Sequence, residues 1–394
     1  MTDAGWFKNA TVYHILIDRF AGVTSADRQQ PEFLGGNIQG ILKKLDYLQD
    51  LGVDTLWLSP FYRTSVYHGY HVTDFMEVEP RFGTLTDVTD LIQAVHAAGM
   101  RIIADFVPNH CSSRHPFFHE ATHDKASRYR SWFIFNKWPH DYRCFLGVRE
   151  LPKLNLRHSE TRRYVIRAAE YWLAAGFDGF RLDHVLGPPH TFWHEFRKAI
   201  KTDFPRAVLL GEAWFEGIQF NHLKTLQIRN KYLRWLLGIS QESIQKEYVG
   251  ELDGVLDFQF QNLMKIHIAH GPRYDQADSL RPALQHHYGA YPSGFFLAAF
   301  LDNHDMNRFL FECEGDIERL KAAATLQFGV DQPVVIYYGT EAGMTHNKPV
   351  VVNTPHSDLE ARRPMVWNGS PANLFLFYKD LIKKRKNVKK EPTP

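Results

Sequence analysis

The chain has 394 residues, 44% of them hydrophobic, and a formal net charge of +2. This length allows a large buried core, and an α/β barrel could contain most of it as one domain. The near-neutral charge argues against a dedicated nucleic-acid-binding protein, because phosphate binding usually requires a clustered basic excess. No apolar run approaches the ~18 residues needed to span a bilayer, so we expect no membrane partner.

The three cysteines, Cys111, Cys144 and Cys313, are widely spaced and form no C-x-x-C pair. An odd, scattered set is typical of reduced thiols in a cytoplasmic protein rather than of a disulfide framework. The first residues contain no basic region followed by an apolar one, so we expect no signal peptide. The sequence therefore predicts a soluble cytoplasmic protein and leaves its oligomeric state open.

Short apolar runs alternate with amphipathic segments along the chain, which indicates an α/β fold. The amphipathic segments have 3.6-residue spacing, and several end at a glycine, as helices often do: Gly52, Gly99 and Gly176. Eight strands alternating with helices predict a (β/α)8 TIM barrel, whose strands are buried on both faces. A doubly wound open sheet is the main alternative, but the Gly-rich first turn typical of it is absent. The predicted strands are residues 11–17, 55–60, 101–107, 179–183, 207–213, 254–260, 295–302 and 334–339.

The segment after the third predicted strand is too long for an ordinary βα loop. Residues 109–155 are rich in aromatic, His and Arg residues and lack clean periodicity, so we predict a small inserted subdomain. The barrel would then comprise residues 1–108 and 156–386. The basic residues 387–394 are interpreted as a solvated C-terminal tail after the last helix.

Residues 119–123, HEATH, lie in this insert and match H-E-x-x-H. In that pattern two His one helical turn apart bind zinc, and the Glu is the general base of a metalloprotease. No third ligand signature follows, and a pattern this short recurs by chance in a chain with 21 His. We favour a plain surface helix, and keep a zinc hydrolase and incidental metal binding as remote alternatives.

Polar and ionisable side chains stand where the predicted strands end. In a TIM barrel, catalytic groups lie at the carboxyl ends of the strands. A single buried carboxylate is often only an ion pair or a helix cap, but three of them on converging strand ends indicate a site. The residues at these positions are Asp105, Asn109, His110, Arg181, Asp183, Glu212, Asn303, His304 and Asp305.

These residue types predict a division of labour between carboxyl groups. Arg181 and Asp183 are two apart on a strand, so they share a face, and the guanidinium should keep Asp183 ionised as a nucleophile. Glu212 follows an apolar run, and apolar surroundings near other carboxylates should raise its pKa and suit it to act as a general acid. Such a pair about 5–5.5 Å apart performs retaining glycoside hydrolysis. Asp305 would add negative charge near the transition state.

Several stretches together resemble the α-amylase superfamily, glycoside hydrolase family 13. The resemblance extends from "WFKNATVYHILIDRF" through "RRPMVW". The stretches "DFVPNH", "GFRLD", "GEAW" and "FLDNHD" resemble the four signatures of the family in order, and "YHGYHVTDF" and "EPRFGT" are further hallmarks. "LPKLN" at 151–155 resembles the "MPKLN" of the neopullulanase, cyclomaltodextrinase and maltogenic amylase group.

The resemblance implies roles for individual residues. Asp183 stands at the nucleophile position, Glu212 at that of the acid/base, and Asp305 at that of the transition-state stabiliser. Tyr70 matches the aromatic residue that stacks on the reacting sugar. The full set of implied substrate-binding residues is Tyr70, His110, Arg181, His304, Asp105, Trp214 and Lys153.

Some features depart from the family pattern. After Asp183, many members carry a Lys-His pair, but Leu186 and Gly187 stand there, which removes one contributor to the common calcium site. The segment after Phe20 also lacks the dense Asp and Asn ligands of some relatives. Asn109 remains a possible calcium ligand, so we expect no required cofactor and treat calcium as optional. The C-terminal β-domain and the N-terminal sugar-binding domain known in the family are expected to be absent.

The leading hypothesis is a retaining glycoside hydrolase that cleaves α-glucosidic bonds in maltodextrins, cyclodextrins or related α-glucans. A 4-α-glucanotransferase or another transglycosylase is the alternative, because the same carboxyl groups serve water and sugar acceptors. A non-catalytic barrel, as in transporter accessory chains, is disfavoured because all three carboxyl groups are present. The linkage preference and the length of the substrate stay open.

Overall fold

The computed structural model describes residues 4–24, 31–214, 240–272, 277–351, 354, 356–367 and 371–388. Part of the segment after Phe20, residues 25–30, and most of the predicted tail, residues 389–394, lie outside these ranges. The strands are β1 Thr11–Ile15, β2 Thr55–Leu58, β3 Tyr62–Thr64, β4 Val72–Val78, β5 Arg101–Phe106, β6 Phe135–Lys137, β7 Asp141–Tyr142, β8 Gly179–Leu182, β9 Val208–Gly211, β10 Gly254–Leu256, β11 Phe296–Phe300 and β12 Val334–Tyr337.

Among the described residues, eight strands form a closed barrel in the order β1-β12-β11-β10-β9-β8-β5-β2. The strand pairs β1–β2, β1–β12, β5–β8, β8–β9, β9–β10 and β11–β12 are parallel. The barrel strands are almost entirely buried, which explains why they are continuous apolar runs. The predicted TIM barrel is therefore confirmed. β3 pairs with β4, and β6 with β7, in separate antiparallel sheets.

The helices occupy the segments between the barrel strands. Gly52 ends α3 in the left-handed conformation (φ 95°), and its N–H donates to the carbonyl of Leu48, as its C-cap role predicts. The helices are α1 Ile17–Phe20, α2 Ile38–Leu42, α3 Leu45–Leu51, α4 Leu85–Ala97, α5 Pro116–His123, α6 Ser159–Ala174, α7 His190–Asp203, α8 Gln241–Lys246, α9 Phe258–Met264, α10 Ala277–Gly289, α11 Phe309–Glu312, α12 Ile317–Gly329 and α13 Leu374–Val388.

The predicted strand 254–260 is wrong over its second half. β10 ends at Leu256, and α9 begins at Phe258. Asp257 causes the change, because its carboxylate accepts a hydrogen bond from the N–H of Phe260 and caps the helix. The apolar residues Phe258 and Phe260 are buried as helical residues rather than as strand residues.

The chain divides into two compact units. The first consists mainly of Ser59–Thr89 and Ile103–Val255, and in it Trp172 packs edge-on against Phe61 and donates its indole N–H to the carbonyl of Phe75. The second consists of Gly5–Leu58, Asp90–Ile102 and Leu256–Pro394.

The second unit contains a buried carboxyl group, Glu341. The hydroxyls of Tyr13 and Tyr47 donate to its Oε1 at 2.6 and 2.7 Å. Burial raises the pKa of Glu341, and these two hydrogen bonds oppose the rise. The two tyrosines therefore supply the donors that a fully buried carboxyl group needs.

Residues 107–158, between β5 and α6, contain α5 and the β6–β7 hairpin. The HEATH residues lie on α5, where His119 and His123 are exposed and their rings stack with centroids 4.0 Å apart. Glu120 accepts a hydrogen bond from the hydroxyl of Ser127. No group of three or more His, Cys, Asp or Glu that could hold a metal ion occurs in the described part of the chain. The geometry therefore favours the plain surface helix.

The cysteines Cys111, Cys144 and Cys313 are free thiols, as predicted. Burial raises the pKa of Cys313 to about 12, so this thiol is poorly reactive at neutral pH. None of the helices in the described ranges has the length and apolarity that a bilayer crossing requires.

His115 gives a testable pH dependence of stability. Its Nδ1 accepts the N–H of Phe117 at the start of α5, and burial lowers its pKa to about 4. Because the unfolded chain takes up this proton near pH 6.5, the stability that neutral His115 contributes is lost as pH falls from about 6.5 to 4. The pKa difference corresponds to at most about 3 kcal/mol. We expect His115→Asn, which keeps a capping acceptor, to flatten this loss in urea unfolding between pH 7 and 4.

His119→Asn, at an exposed position on the same helix, is the matched control and should leave the pH profile of the unfolding free energy unchanged. Parallel profiles for wild type and His115→Asn would contradict this account of His115.

Candidate active site

The first unit contains a buried ionic cluster centred on Arg181. The register of β5 and β8 places Asp105 opposite Arg181. The guanidinium Nη1 donates to Asp105 at 2.9 and 3.0 Å and to Oδ1 of Asp183 at 3.0 Å, as the shared face of Arg181 and Asp183 predicts. Nη2 contacts Oε1 of Glu212. One fully buried guanidinium therefore brings three carboxyl groups together.

Backbone hydrogen bonds to the neighbouring strand hold Asp183 and Glu212 in place. Asp183 follows β8, and its N–H donates to the carbonyl of Phe106 on β5. Glu212 follows β9, and its N–H donates to the carbonyl of Leu182. Both residues are only 6% exposed. The carboxyl ends of neighbouring parallel strands thus place both side chains at one edge of the sheet.

The apolar environment expected around Glu212 is wrong. Its Oε1 contacts the Arg181 guanidinium, and its Oε2 accepts the N–H of His184 at 3.0 Å. His184 reaches this position with a positive φ of 43°. The sequence shows the apolar residues next to Glu212, but it does not show that Arg181 on the neighbouring strand β8 contacts its carboxyl group.

The charge balance of the cluster favours the retention of a proton. Burial opposes the charged form of Arg181, but Asp105, Glu212, Tyr70 and Asp183 outweigh it and raise its pKa well above the usual value. Three buried carboxyl groups that share this one guanidinium would carry excess negative charge if all were ionised. Such charge is costly in a buried site, so the cluster is expected to titrate as a coupled unit that keeps a proton.

Tyr70 adjoins this cluster and is 8% exposed. Its hydroxyl donates to Oδ2 of Asp105 at 2.8 Å. The preceding Gly69 has a φ of 86°, and a Cβ there would lie 2.0 Å from the carbonyl of Pro60, so the turn requires glycine. The YHGYH stretch therefore fixes Tyr70 through a backbone turn that a larger residue would disrupt.

The residues after β5 extend the first unit's site into the insert. His110 is buried and stacks on Phe145, with ring centroids 4.7 Å apart, and Phe145 also meets the edge of His184. Burial lowers the pKa of His110 to about 3, with smaller contributions from His71 and Lys153. His110 is therefore neutral near pH 7 and suited to hydrogen bonding rather than to charge stabilisation.

The remaining predicted residues of the first unit are Asn109, Lys153 and Trp214. Asn109 is buried, and its side-chain N–H donates to Nδ1 of His110 when that nitrogen is unprotonated. Nζ of Lys153 donates to the carbonyl of Gly187 at 2.6 Å. Trp214 is half-buried and ends the described residues before the range 215–239.

The second unit contains His304 and Asp305, which follow β11. Nε2 of His304 lies 3.0 Å from Oδ2 of Asp305, and the N–H of Asp305 donates to Oδ1 of Asn303. Arg362 donates from Nη2 to Oδ1 of Asp305 at 2.7 Å and from Nε to the carbonyl of His304. Asp305 is thus held by a nearly buried arginine.

The sequence prediction did not include Arg362. It lies in the stretch RRPMVW, which marked only the end of the family resemblance. Arg362 also binds Asp358 through Nη1, and the four-residue spacing of that pair is visible in the sequence. The contact of Arg362 with Asp305, far away in the chain, is not. The two adjacent arginines have different partners: Arg362 binds Asp305, whereas Arg363 binds Glu360.

Removal of the Arg362 side chain should lower catalysis through Asp305. Arg362→Ala removes the guanidinium from Oδ1 of Asp305, and misplacement of a group in the role that the family resemblance implies for Asp305 costs on the order of 10²-fold in kcat. Arg363→Ala is the matched control, expected to retain most of the activity. Steady-state kinetics on maltotriose measure both, and equal effects of the two substitutions would contradict a specific role of Arg362.

Comparison with known proteins agrees with this fold and these motifs. The family described as Alpha amylase, catalytic domain, matches residues 14–393, and the chain therefore belongs to the alpha-amylase family. Alpha-amylase 2 of Dictyoglomus thermophilum is 35% identical over 97% of this chain and 64% of its own length. A cyclomaltodextrinase of Geobacillus thermopakistaniensis is 31% identical over 98% of this chain and 63% of its own length.

A solved structure is also similar over nearly the whole chain. The cyclic alpha-maltosyl-(1→6)-maltose hydrolase from Arthrobacter globiformis, in complex with cyclic alpha-maltosyl-(1→6)-maltose, has a TM-score of 0.83 and 28% identity. The match covers 98% of this chain and 84% of the other. The chain spans just under two thirds of the length of the two curated relatives above.

Proposed function

We propose that this chain is a retaining glycoside hydrolase that cleaves α-glucosidic bonds in maltodextrins, cyclodextrins or related α-glucans. The observation that carries the proposal is the buried cluster in which Arg181 contacts Asp105, Asp183 and Glu212. A guanidinium that is always charged keeps a nearby carboxylate ionised, as a nucleophile requires. The names of the relatives, which include alpha-amylases and cyclomaltodextrinases, support this substrate class.

In the proposed first step, Asp183 attacks the anomeric carbon as the glycosidic bond breaks. Glu212 gives its proton to the departing oxygen, and a glycosyl ester forms on Asp183. In the second step, Glu212 takes a proton from a water molecule as that water attacks the anomeric carbon, and Asp183 leaves as a carboxylate. The two displacements retain the configuration at the anomeric carbon.

The proton that the first step needs is consistent with the charge balance of the cluster. All three carboxyl groups contact Arg181, and we assign the retained proton to Glu212 because it stands at the acid/base position of the third signature. Asp105, fully buried and bonded to Tyr70, would serve to orient the guanidinium rather than to react. This division gives each carboxyl group one task.

The oxocarbenium-like transition state carries positive charge, and we assign its stabilisation to Asp305, on its match to the fourth signature. His304 and Arg362 hold the two oxygens of its carboxylate. With these two contacts in place, the Asp305 side chain is still 29% exposed, which permits contact with a sugar. Tyr70, His110, His304, Trp214 and Lys153 remain the candidates for substrate contact, and His110 would act as a neutral hydrogen-bonding group.

Product analysis tests the proposal directly. The purified chain should release glucose or maltose from maltodextrin, pullulan or cyclodextrin, with retained anomeric configuration in proton NMR spectra taken early in the reaction. With maltotriose as substrate, products longer than three glucose units would indicate a transglycosylase instead of a hydrolase. The absence of turnover on all of these glucans would refute the substrate class.

A further inference from the structure

Lys153 connects the insert to the loop that follows Asp183. Its ammonium donates to the carbonyl of Gly187, four residues after Asp183, at 2.6 Å. Its backbone forms an antiparallel bridge with His110, so the base of the side chain is anchored next to β5. One hydrogen bond thus links two segments that border the carboxyl cluster.

A second oxygen lies against Gly187. Asn109 is 1% exposed, and its Oδ1 has no hydrogen-bond partner among the described residues. A Cβ on Gly187 would lie 2.0 Å from this oxygen, which shows how closely the two residues pack. Asn109 is the possible calcium ligand and Gly187 stands where family members contribute to their calcium site, but the group that bonds to the Gly187 carbonyl here is the Lys153 ammonium.

The residues present do not fit a calcium ion. Calcium requires 6–8 oxygen ligands, usually with several carboxylates. No group of three or more His, Cys, Asp or Glu that could hold a metal ion occurs among the described residues, and the Gly187 carbonyl already accepts a hydrogen bond from a cation. A divalent ion next to the Lys153 ammonium would also meet like-charge repulsion in a poorly solvated region.

We propose that the Lys153 ammonium replaces a calcium ion as the group that fixes the loop after Asp183, so that Lys153 is a positioning residue and the chain does not need calcium. This reassigns Lys153 from the substrate-binding set. Burial, with Arg143 and Arg157, lowers the pKa of Lys153 to about 8, which leaves the ammonium as its main form at pH 7. The effect of Lys153 on turnover rests on the proposed function, whereas the absence of calcium dependence does not.

The first arm of the test separates positioning from substrate contact. We expect Lys153→Met to lower kcat on maltotriose by about tenfold with KM changed by less than about twofold, because the loop and not a sugar loses its partner. Lys153→Arg should recover most of the lost kcat. Lys137→Met, at an exposed lysine in the same insert, is the matched control and should behave as wild type. A raised KM with unchanged kcat would overturn the assignment, and so would a wild-type kcat in Lys153→Met.

The second arm needs no activity. The thermal midpoint of the wild-type chain should be the same in excess EDTA and in about 10 mM calcium chloride, a concentration that fills even weak calcium sites. Lys153→Met should unfold at a lower temperature than Lys137→Met. A midpoint that EDTA lowers or calcium raises in wild type would overturn the proposal. If wild type hydrolyses no α-glucan, the proposed function fails, and this arm still decides whether Lys153 stands in place of calcium.

Discussion

Asp183→Ala is expected to reduce turnover of maltotriose by at least about 10⁴-fold, the order of loss that follows removal of a catalytic nucleophile. Without this carboxylate no glycosyl ester forms, and the remaining carboxyl groups cannot replace the attack on the anomeric carbon. The fold should persist, because Arg181 keeps its contacts with Asp105 and Glu212. Initial rates measure the loss, and circular dichroism verifies the fold.

Asp90→Ala is the control for this substitution, since Asp90 is exposed on α4 and remote in sequence from every candidate residue. It should retain wild-type rates. A folded Asp183→Ala protein with substantial residual hydrolysis would remove Asp183 from the nucleophile position. Exogenous azide offers a further check, because a small anion that fits the vacated space should restore turnover with a glycosyl azide of inverted configuration as product.

The barrel could be predicted from the sequence because its strands leave a local signal. Each is a short run of apolar residues bounded by helices with 3.6-residue spacing, and burial on both faces explains that composition. The strand prediction was wrong for the second half of the sixth run, because buried Phe258 and Phe260 are compatible with a strand and with a capped helix. The deciding interaction is the hydrogen bond from the N–H of Phe260 to the side-chain carboxylate of Asp257, a helix N-cap that the apolar pattern does not reveal.

The candidate site was predictable to the extent that its residues stand next to strand ends. Asp183 and Glu212 could be placed in this way, and the contact between Arg181 and Asp183 follows from two-residue spacing on a strand. The contact between Arg181 and Glu212 joins different strands. The apolar residues next to Glu212 in the sequence therefore predicted an apolar environment, whereas a guanidinium lies beside it. Arg362 contacts Asp305 and Lys153 contacts Gly187 across long separations in the chain, and no local sequence pattern predicts such contacts.

Arg181→Met is expected to have the largest effect on stability. It would leave three buried carboxyl groups without the guanidinium that contacts them. Breaking a buried ion pair from one side typically costs about 3–5 kcal/mol, because the remaining charge stays buried and unpaired. We expect a loss of this order in the unfolding free energy at pH 7, measured with urea, and a loss of turnover because Asp183 is no longer held. Arg167→Met, at an exposed arginine on α6, should be close to wild type in both respects.

The pH dependence of this loss identifies its cause. Without Arg181 the folded chain should hold protons on these carboxyl groups more tightly than the unfolded chain does, so stability decreases as pH rises above about 4. The deficit of Arg181→Met relative to wild type should therefore shrink as pH falls from 7 towards 4, because the carboxyl groups of the folded variant take up protons over this range and lose their uncompensated charge. A deficit that does not vary with pH would mean that lost packing, and not uncompensated charge, is what the substitution exposes.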